Sequence, residues 1–453
     1  MPQRKQGVAG RVSYSYDGRY YIEGNFGYNG SENFAKGHRF GFFPSIAVGY
    51  NISNEKFWQP IKPVISNLKI RGSWGLVGND ATNAGRFAYM EDLVLGGSDS
   101  YTTGIRQDTY YSGPSWNRYF NPDLTWEVGE KINLGLDLQL FNDFNLTFDI
   151  FREKRRDIFM TRENSIPEIV GTGETKITSN NGEMENKGLD LAIDYNKQIT
   201  KDFFLSFKST LTFARNKVLK VDEPPYFEYP GLSDVGHPLG TYWGYVADGL
   251  FPDQETIDNS PRQDLGYTPQ PGDIKYVNQP NAKGEYDNVI NSNDRVAIGH
   301  PYDPELVYGF GPSMKWKNWD FSFFFQGVAR TSFMMYGMHP FGTTSIKNML
   351  QFVADDHWSV DNPNPNAAYP RLTKDSNGNN DQYSTYWLRN AAFLKLKNAE
   401  IGYTYKGMRF YLSGVNLLTF SPFKHWDPEM GGGNGLYYPT QRVFNIGFQM
   451  TIQ

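Results

Sequence analysis

The chain has 453 residues, a net charge of −5 and a pI near 5.8, so no basic surface argues for nucleic acid. Mean hydropathy is −0.58 and no run of eighteen apolar residues occurs, which excludes a membrane-spanning helix. Cysteine is absent, which excludes disulfides and thiolate metal sites. Aromatic residues make up 16% of the chain and glycine is frequent, a composition that favours strands, turns and bulges. The opening "MPQRKQGVAG" lacks the apolar core of a signal peptide, so for an exported protein the leader is expected elsewhere.

Taken in chain order, period-two alternation predicts strand after strand. Ile132, Leu134, Leu136, Leu138 and Leu140 share a face opposite Asn133, Asp137 and Gln139. Phe144, Leu146, Phe148 and Ile150 oppose Asn145, Thr147 and Asp149. Leu189, Leu191, Ile193 and Tyr195 oppose Asp190, Asp194 and Asn196, and Phe203, Leu205, Phe207, Leu211 and Phe213 oppose Ser206, Lys208 and Thr210. The chain closes on Phe444, Ile446, Phe448, Met450 and Ile452, with Asn445, Gln449 and Thr451 on the opposite face. About thirteen such strands are expected, many of about ten residues or more, the length that a tilted strand needs to cross a bilayer.

The predicted connections alternate in size. Short links fall at Asp17-Gly18, 141–144, 196–201, 317–319 and 406–408, with a middling one near 53–66. Long ones fall near 30–38, 79–123, 160–180, 219–303, 336–392 and 421–440. Short turns at one end and long loops at the other are the habit of outer-membrane barrels. The apolar faces would then meet lipid, and Asp137, Asp149, Asp194 and Lys208 would line the lumen. The rival is a soluble or surface-attached β-protein that binds carbohydrate through exposed aromatics.

Several long segments resemble the SusC/RagA family of TonB-dependent outer-membrane transporters of Bacteroidetes. They are "SNLKIRGSWGLVGND" (66–80), "NPDLTWEVGEKINLGLDLQLF" (121–141), "MENKGLDLAIDY" (184–195) and "GTYWGYVADGLF" (240–251). Further along come "GDIKY" (272–276), "DRVAIGHPYDPELVYGF" (294–310), "YWLRNAAFLKLKNAEIGYTY" (386–405) and "NLLTFSPFKHWDPE" (416–429). The resemblance implies an all-β, antiparallel transmembrane β-barrel. Residues 1–453 would form roughly the last thirteen strands of a 22-stranded barrel, with the plug domain absent. An odd strand count and two unpaired edges predict that this chain alone neither closes a barrel nor transports. The resemblance also implies import of an oligosaccharide or oligopeptide, a SusD-like surface lipoprotein as partner, and a TonB complex acting through the missing N-terminal part.

No enzyme constellation is found, and neither a cofactor nor a metal site is expected. "GFGPSM" begins like a dinucleotide fingerprint but has Met314 where the third glycine belongs. Asp427 and Glu429 in "HWDPE" are too close in sequence, around a proline, to be expected to span a glycosidic bond. The stretch after "GDIKY" lacks calcium-loop spacing, so Asp273, Asp287 and Asp294 read as solvated loop carboxylates and turn formers. Substrate contact is expected from the long loops, with Trp116, Trp243 and Trp358 as the candidate residues, since indole offers apolar area and an N–H donor. Tyr386 and Trp387, just before a strand, read as members of the interfacial aromatic girdle.

Overall fold

The computed structural model describes residues 4–82, 85–96, 100–162, 164–167, 169, 177–337, 350–373 and 377–450. Thirteen strands form one antiparallel sheet in strict chain order. They are β1 (Lys5–Tyr16), β2 (Tyr20–Ser31), β3 (Phe40–Asn51), β4 (Ile65–Asn79), β5 (Glu127–Leu140), β6 (Phe144–Thr161) and β7 (Thr178–Thr200). The remainder are β8 (Phe203–Lys220), β9 (Leu306–Trp316), β10 (Trp319–Ala329), β11 (Phe393–Tyr405), β12 (Met408–Phe420) and β13 (Val443–Met450). This is the strand number read from the alternation. Among the described residues, β1 and β13 each have one neighbour in the sheet.

The chain divides into two compact units. The first is Met1–Asp190, Arg215–Pro225 and Asp234–Gly236; the second is Leu191–Ala214, Tyr226–Ser233 and His237–Gln453. In the first unit, register brings Ile22, Val48, Gly72, Leu134 and Ile150 into one row across β2 to β6. The four large side chains of that row are all exposed, between 44% and 52%. In the second unit Ile401, Leu412 and Ile446 make a similar exposed row. A sandwich would bury such a face against a second layer. Here the alternation marks a face that meets the surroundings. The last strand follows the same rule: Phe444, Ile446 and Phe448 lie opposite Gly414, Leu412 and Phe410, while Asn445 and Gln449 lie opposite Ser413 and Arg409. Thr451 and Ile452 lie outside the described residues.

The opposite face is polar and cross-linked by arginine. In the first unit the Arg71 guanidinium bridges Asp137 at 3.2 Å and Asp149 at 2.6 Å. Gly135 sits between them in register, and a Cβ there would fall 2.5 Å from Arg71 Cζ and 2.6 Å from Asp149 Oδ1. The missing side chain is therefore what lets three neighbouring strands share one ion cluster. In the second unit Arg409 holds both Asp320 and Glu400, with Gly402 taking the equivalent gap. Each bridge crosses strands, so it ties register as well as charge.

A small core in the first unit, Phe34, Ala88, Leu124 and Trp126, closes its long connections over the sheet. The core of the second unit is far larger and is built almost entirely from connections.

Candidate ligand-contacting loops

In the second unit, the connections 237–305 and 330–392 do not run as open loops. They pair with themselves and with each other in short ladders. Tyr242–Gly244 pairs with Val296–Ile298, Ala247–Leu250 with Ile274–Tyr276, and Ser332–Met334 with Leu388–Asn390. Around these ladders Tyr245, Ile274, Tyr276, Met335, Trp387 and Phe423 form an apolar core. Long connections that bury their own apolar side chains behave as folded modules with fixed surfaces.

At the centre lies one buried carboxylate. Asp273 is fully buried. Its Oδ1 accepts from Asn377 Nδ2 at 3.0 Å and Asn380 Nδ2 at 2.8 Å, and its Oδ2 accepts from the Gln270 N–H at 2.8 Å. The Arg371 guanidinium approaches Oδ1 to 2.7 Å and donates to Oδ2 at 3.2 Å. Around it Gln263 donates to the Ile274 carbonyl at 3.0 Å, Asn380 Oδ1 accepts from the Ile274 N–H at 2.9 Å, and the Tyr276 hydroxyl donates to the Asn379 carbonyl at 2.7 Å. Gly272 has φ +89°, and a Cβ there would fall 2.2 Å from the Trp358 ring, so only glycine lets Asp273 be delivered beneath that indole.

This corrects the reading of Asp273 as a solvated loop acid. It is an ionic anchor between two connections far apart in sequence. Asp287 accepts from the Val289 N–H at 3.0 Å, as a turn former does. Asp294 departs from the solvated reading too: it is buried, closes a capping box with Asn291 and accepts from the Gln279 N–H at 2.7 Å.

Tyr386 and Trp387 also differ from the girdle reading. Trp387 is buried in the module, where its Nε1 donates to the Asn380 carbonyl at 2.6 Å. The Tyr386 hydroxyl donates to the Ala367 carbonyl at 2.8 Å, and burial pushes its pKa above the ordinary tyrosine value. A residue next to a strand end meets lipid only if no loop module covers it, and here one does.

Asp427 and Glu429 have a structural task as well. Lys395 on β11 is fully buried, and its ammonium lies 2.6 Å from each of them. Lys397 reaches Glu429 at 2.8 Å. Two of the segments singled out in the sequence, "FLKLKN" and "HWDPE", are thus the two halves of one ion cluster.

The three candidate tryptophans occupy different settings. Trp116 is 37% exposed, opposite Leu93 in a small ladder of the first unit, and its ring stacks on Tyr119 with centroids 5.6 Å apart. Trp243 is half-buried, with its ring edge-on to His237 at 5.0 Å. Trp358 is 7% exposed within the core of the module, and its indole N–H meets no acceptor among the described residues. Sequence reading missed Gln263 and Arg371, which carry no local signal, and Asn377, Asn379 and Asn380, whose only signal was an asparagine-rich run resembling a loop. A cavity of about 200 Å³ opens beside this network, between residues 335–337, 369–373 and 377–387.

The model for the TonB dependent receptor-like, beta-barrel family matches residues 3–417. The chain belongs to that family. It is 29% identical over 468 residues to the TonB-dependent receptor SusC of Bacteroides thetaiotaomicron, covering 97% of this chain and 43% of that protein. It is 27% identical to TonB-dependent receptor P3 of Formosa agariphila, covering 98% of this chain and 45% of that protein. The chain therefore spans somewhat less than half the length of these curated relatives. Among solved structures, the RagAB peptide importer in its open-open state superposes with a TM-score of 0.76 at 21% identity, over 99% of this chain and 47% of that one. This likeness shows a shared fold. The chain is a TonB-dependent receptor barrel of the outer membrane, similar to SusC, and its exposed apolar rows are the lipid-facing side.

That orientation has a measurable consequence. Leu136 lies between Ile70 and Phe148 on the apolar face, next to the Arg71-bound Asp137 on the other. Leu136→Arg or Phe148→Arg is expected to cost roughly 2–4 kcal/mol at the bilayer midplane. Asp137→Asn and Thr147→Asn should be mild, because Arg71 keeps Asp149. Refolding titrations into lipid vesicles measure this, and equal costs on the two faces would reverse the assignment.

Proposed function

We propose that this barrel segment is part of a transporter that imports oligosaccharides or oligopeptides, capped by a SusD-like surface lipoprotein and driven through TonB. The supporting observation is the pairing of an apolar outer face with an arginine-bridged polar inner face, topped by long connections that fold into rigid modules. Such a wall lets a hydrated solute pass while the loops present a shaped surface at the entrance. The chemistry is passage, with no bond made or broken. The experiment is uptake by cells carrying the full-length gene or a deletion, with and without TonB, on pooled oligosaccharides and pooled peptides. Unchanged uptake of both pools on deletion would refute the proposal.

Within this reading, Trp116 is the first aromatic to test, because its ring is accessible on a loop ladder. Trp116→Ala is expected to weaken uptake or affinity by about 1–2 kcal/mol while barrel assembly stays normal. Trp358→Ala should instead lower the amount of assembled protein and leave the affinity of the remainder unchanged, because its ring fills the module core. Trp243, half-buried, should show part of each effect. Normal assembly and parental uptake in all three variants would move the search to other loop residues.

A further inference from the structure

The lipid-facing side of the first unit changes character toward the long connections, which mark the outer side of the membrane. One step beyond the apolar row of Leu134 and Ile150, register places Ile46, Trp74, Ile132 and Arg152 together. Trp74 is partly exposed, and its indole N–H donates to Glu130 at 2.8 Å, the half-wet setting of an interfacial aromatic. Farther out, β2 and β3 present Phe26, Tyr28, Phe40 and Phe42, all exposed, with Tyr28 stacked on Phe40 at 5.1 Å. These rings form the aromatic girdle of that stretch. At the same level β6 carries Lys154 and Arg156, as far beyond Ile150 as Phe26 and Tyr28 are beyond Ile22. Cations take over the girdle position there. Arg152, Lys154 and Arg156 follow one another in steps of about 7 Å along the strand, and Lys187 joins them from β7.

Their acidic partners lie deeper. Side-chain exposure is 12% for Glu185 and 33% for Glu183, against 52% for Arg152, 55% for Arg156 and 59% for Lys187. Glu185 accepts from Arg152 Nε at 2.6 Å and lies 2.7 Å from the Lys187 ammonium, and Glu183 lies 3.0 Å from Lys154. Among the described residues the terminal nitrogens of Arg152 have no partner, and Arg156 comes no nearer a carboxylate than 4.0 Å, at Asp157. The carboxylates therefore fix the cations while donors still face outward. Four cations against Glu130, Glu183 and Glu185 leave the patch positive at headgroup depth. Forked guanidinium donors match the oxygens of a phosphate.

We propose that this patch on β6 and β7 binds the phosphate groups of a phosphorylated glycolipid in the outer leaflet, seating that lipid against the barrel wall. The site depends on the lipid-facing assignment and is independent of what the transporter carries. It is tested on the full-length protein purified in detergent, titrated with detergent-dispersed diphosphoryl lipid A, the same lipid stripped of its phosphates, and inorganic phosphate. The diphosphoryl form is expected to bind at least tenfold more tightly than the stripped form. Arg152→Gln with Arg156→Gln should lose roughly 10- to 30-fold of the affinity for the diphosphoryl form, the range for two basic side chains at a lipid surface. Lys131→Gln with Arg155→Gln removes equal charge from the opposite face, where both side chains bridge Glu153, and should leave that affinity unchanged. Equal binding of the two lipid forms by the parent protein overturns the proposal, and that comparison needs no variant. Parental affinity in a folded Arg152→Gln, Arg156→Gln protein overturns it, as does an equal loss in the inner-face pair. Inorganic phosphate binding as tightly as the lipid would make this a free-ion site and overturn the lipid assignment.

Discussion

Asp273→Ala is expected to unfold the loop module of the second unit while the sheet beneath it survives. The carboxylate is fully buried and takes hydrogen bonds from Gln270, Asn377 and Asn380 as well as the charge of Arg371, whose side chain is only 17% exposed. Removing it leaves a guanidinium and two amides facing each other without an acceptor. Losing one partner of a buried ion pair costs roughly 3–5 kcal/mol, several times the net value of an ordinary hydrogen bond. Asp273→Asn should be nearly as damaging, because the new amide points a donor at three donors. The measurement is hydrogen exchange across 242–300 and 377–391, with heat-modifiable gel mobility reporting the barrel. Protection that persists in both variants would show that the apolar core alone holds the module.

The second large effect concerns Lys395, and here the two sides of one cluster should respond unequally. The ammonium is fully buried, whereas the side chains of Asp427 and Glu429 keep 20% and 26% exposure. Lys395→Met strands two carboxylates that water can still reach, and Glu429 retains Lys397, so a loss of about 2–3 kcal/mol is expected. The double change Asp427→Asn with Glu429→Gln strands the buried cation and should cost roughly 3–5 kcal/mol. Denaturant titration of the assembled barrel measures both. A larger loss for Lys395→Met than for the double variant would contradict the burial on which the argument rests.

The parts of this fold legible in the sequence are those governed by neighbours. Alternation at Ile132–Leu140 or Phe444–Met450 is a two-residue rule, so strand number, face and the size pattern of the turns can be read directly. The Asp273 anchor cannot be read that way. Its partners Arg371, Asn377 and Asn380 lie across several strands and ladders, and an acid in a loop carries no local sign of being buried. The same reason misplaced Tyr386 and Trp387 at the girdle: their position beside β11 is local, but the module covering them is not. Asp427 and Glu429 are set aside as a catalytic pair on their spacing and the intervening Pro428, which say nothing of Lys395 on β11.

The sheet joins every strand to the one before it in the chain, and this bears on how quickly it can form. Each addition closes a hairpin, so the search at every step is for a single known edge. The connections 221–305 and 330–392 are the longest delays before the next edge arrives, ahead of 80–126 in the first unit. Closing a loop grows costlier only with the logarithm of its length, and a connection that has collapsed on its own core brings its ends nearer still. The kinetic barrier to completing the wall should therefore lie in maturing the Asp273 module. A folding time course would show the first unit's strands protected early, with β9 onward following the burial of Trp358 and Trp387.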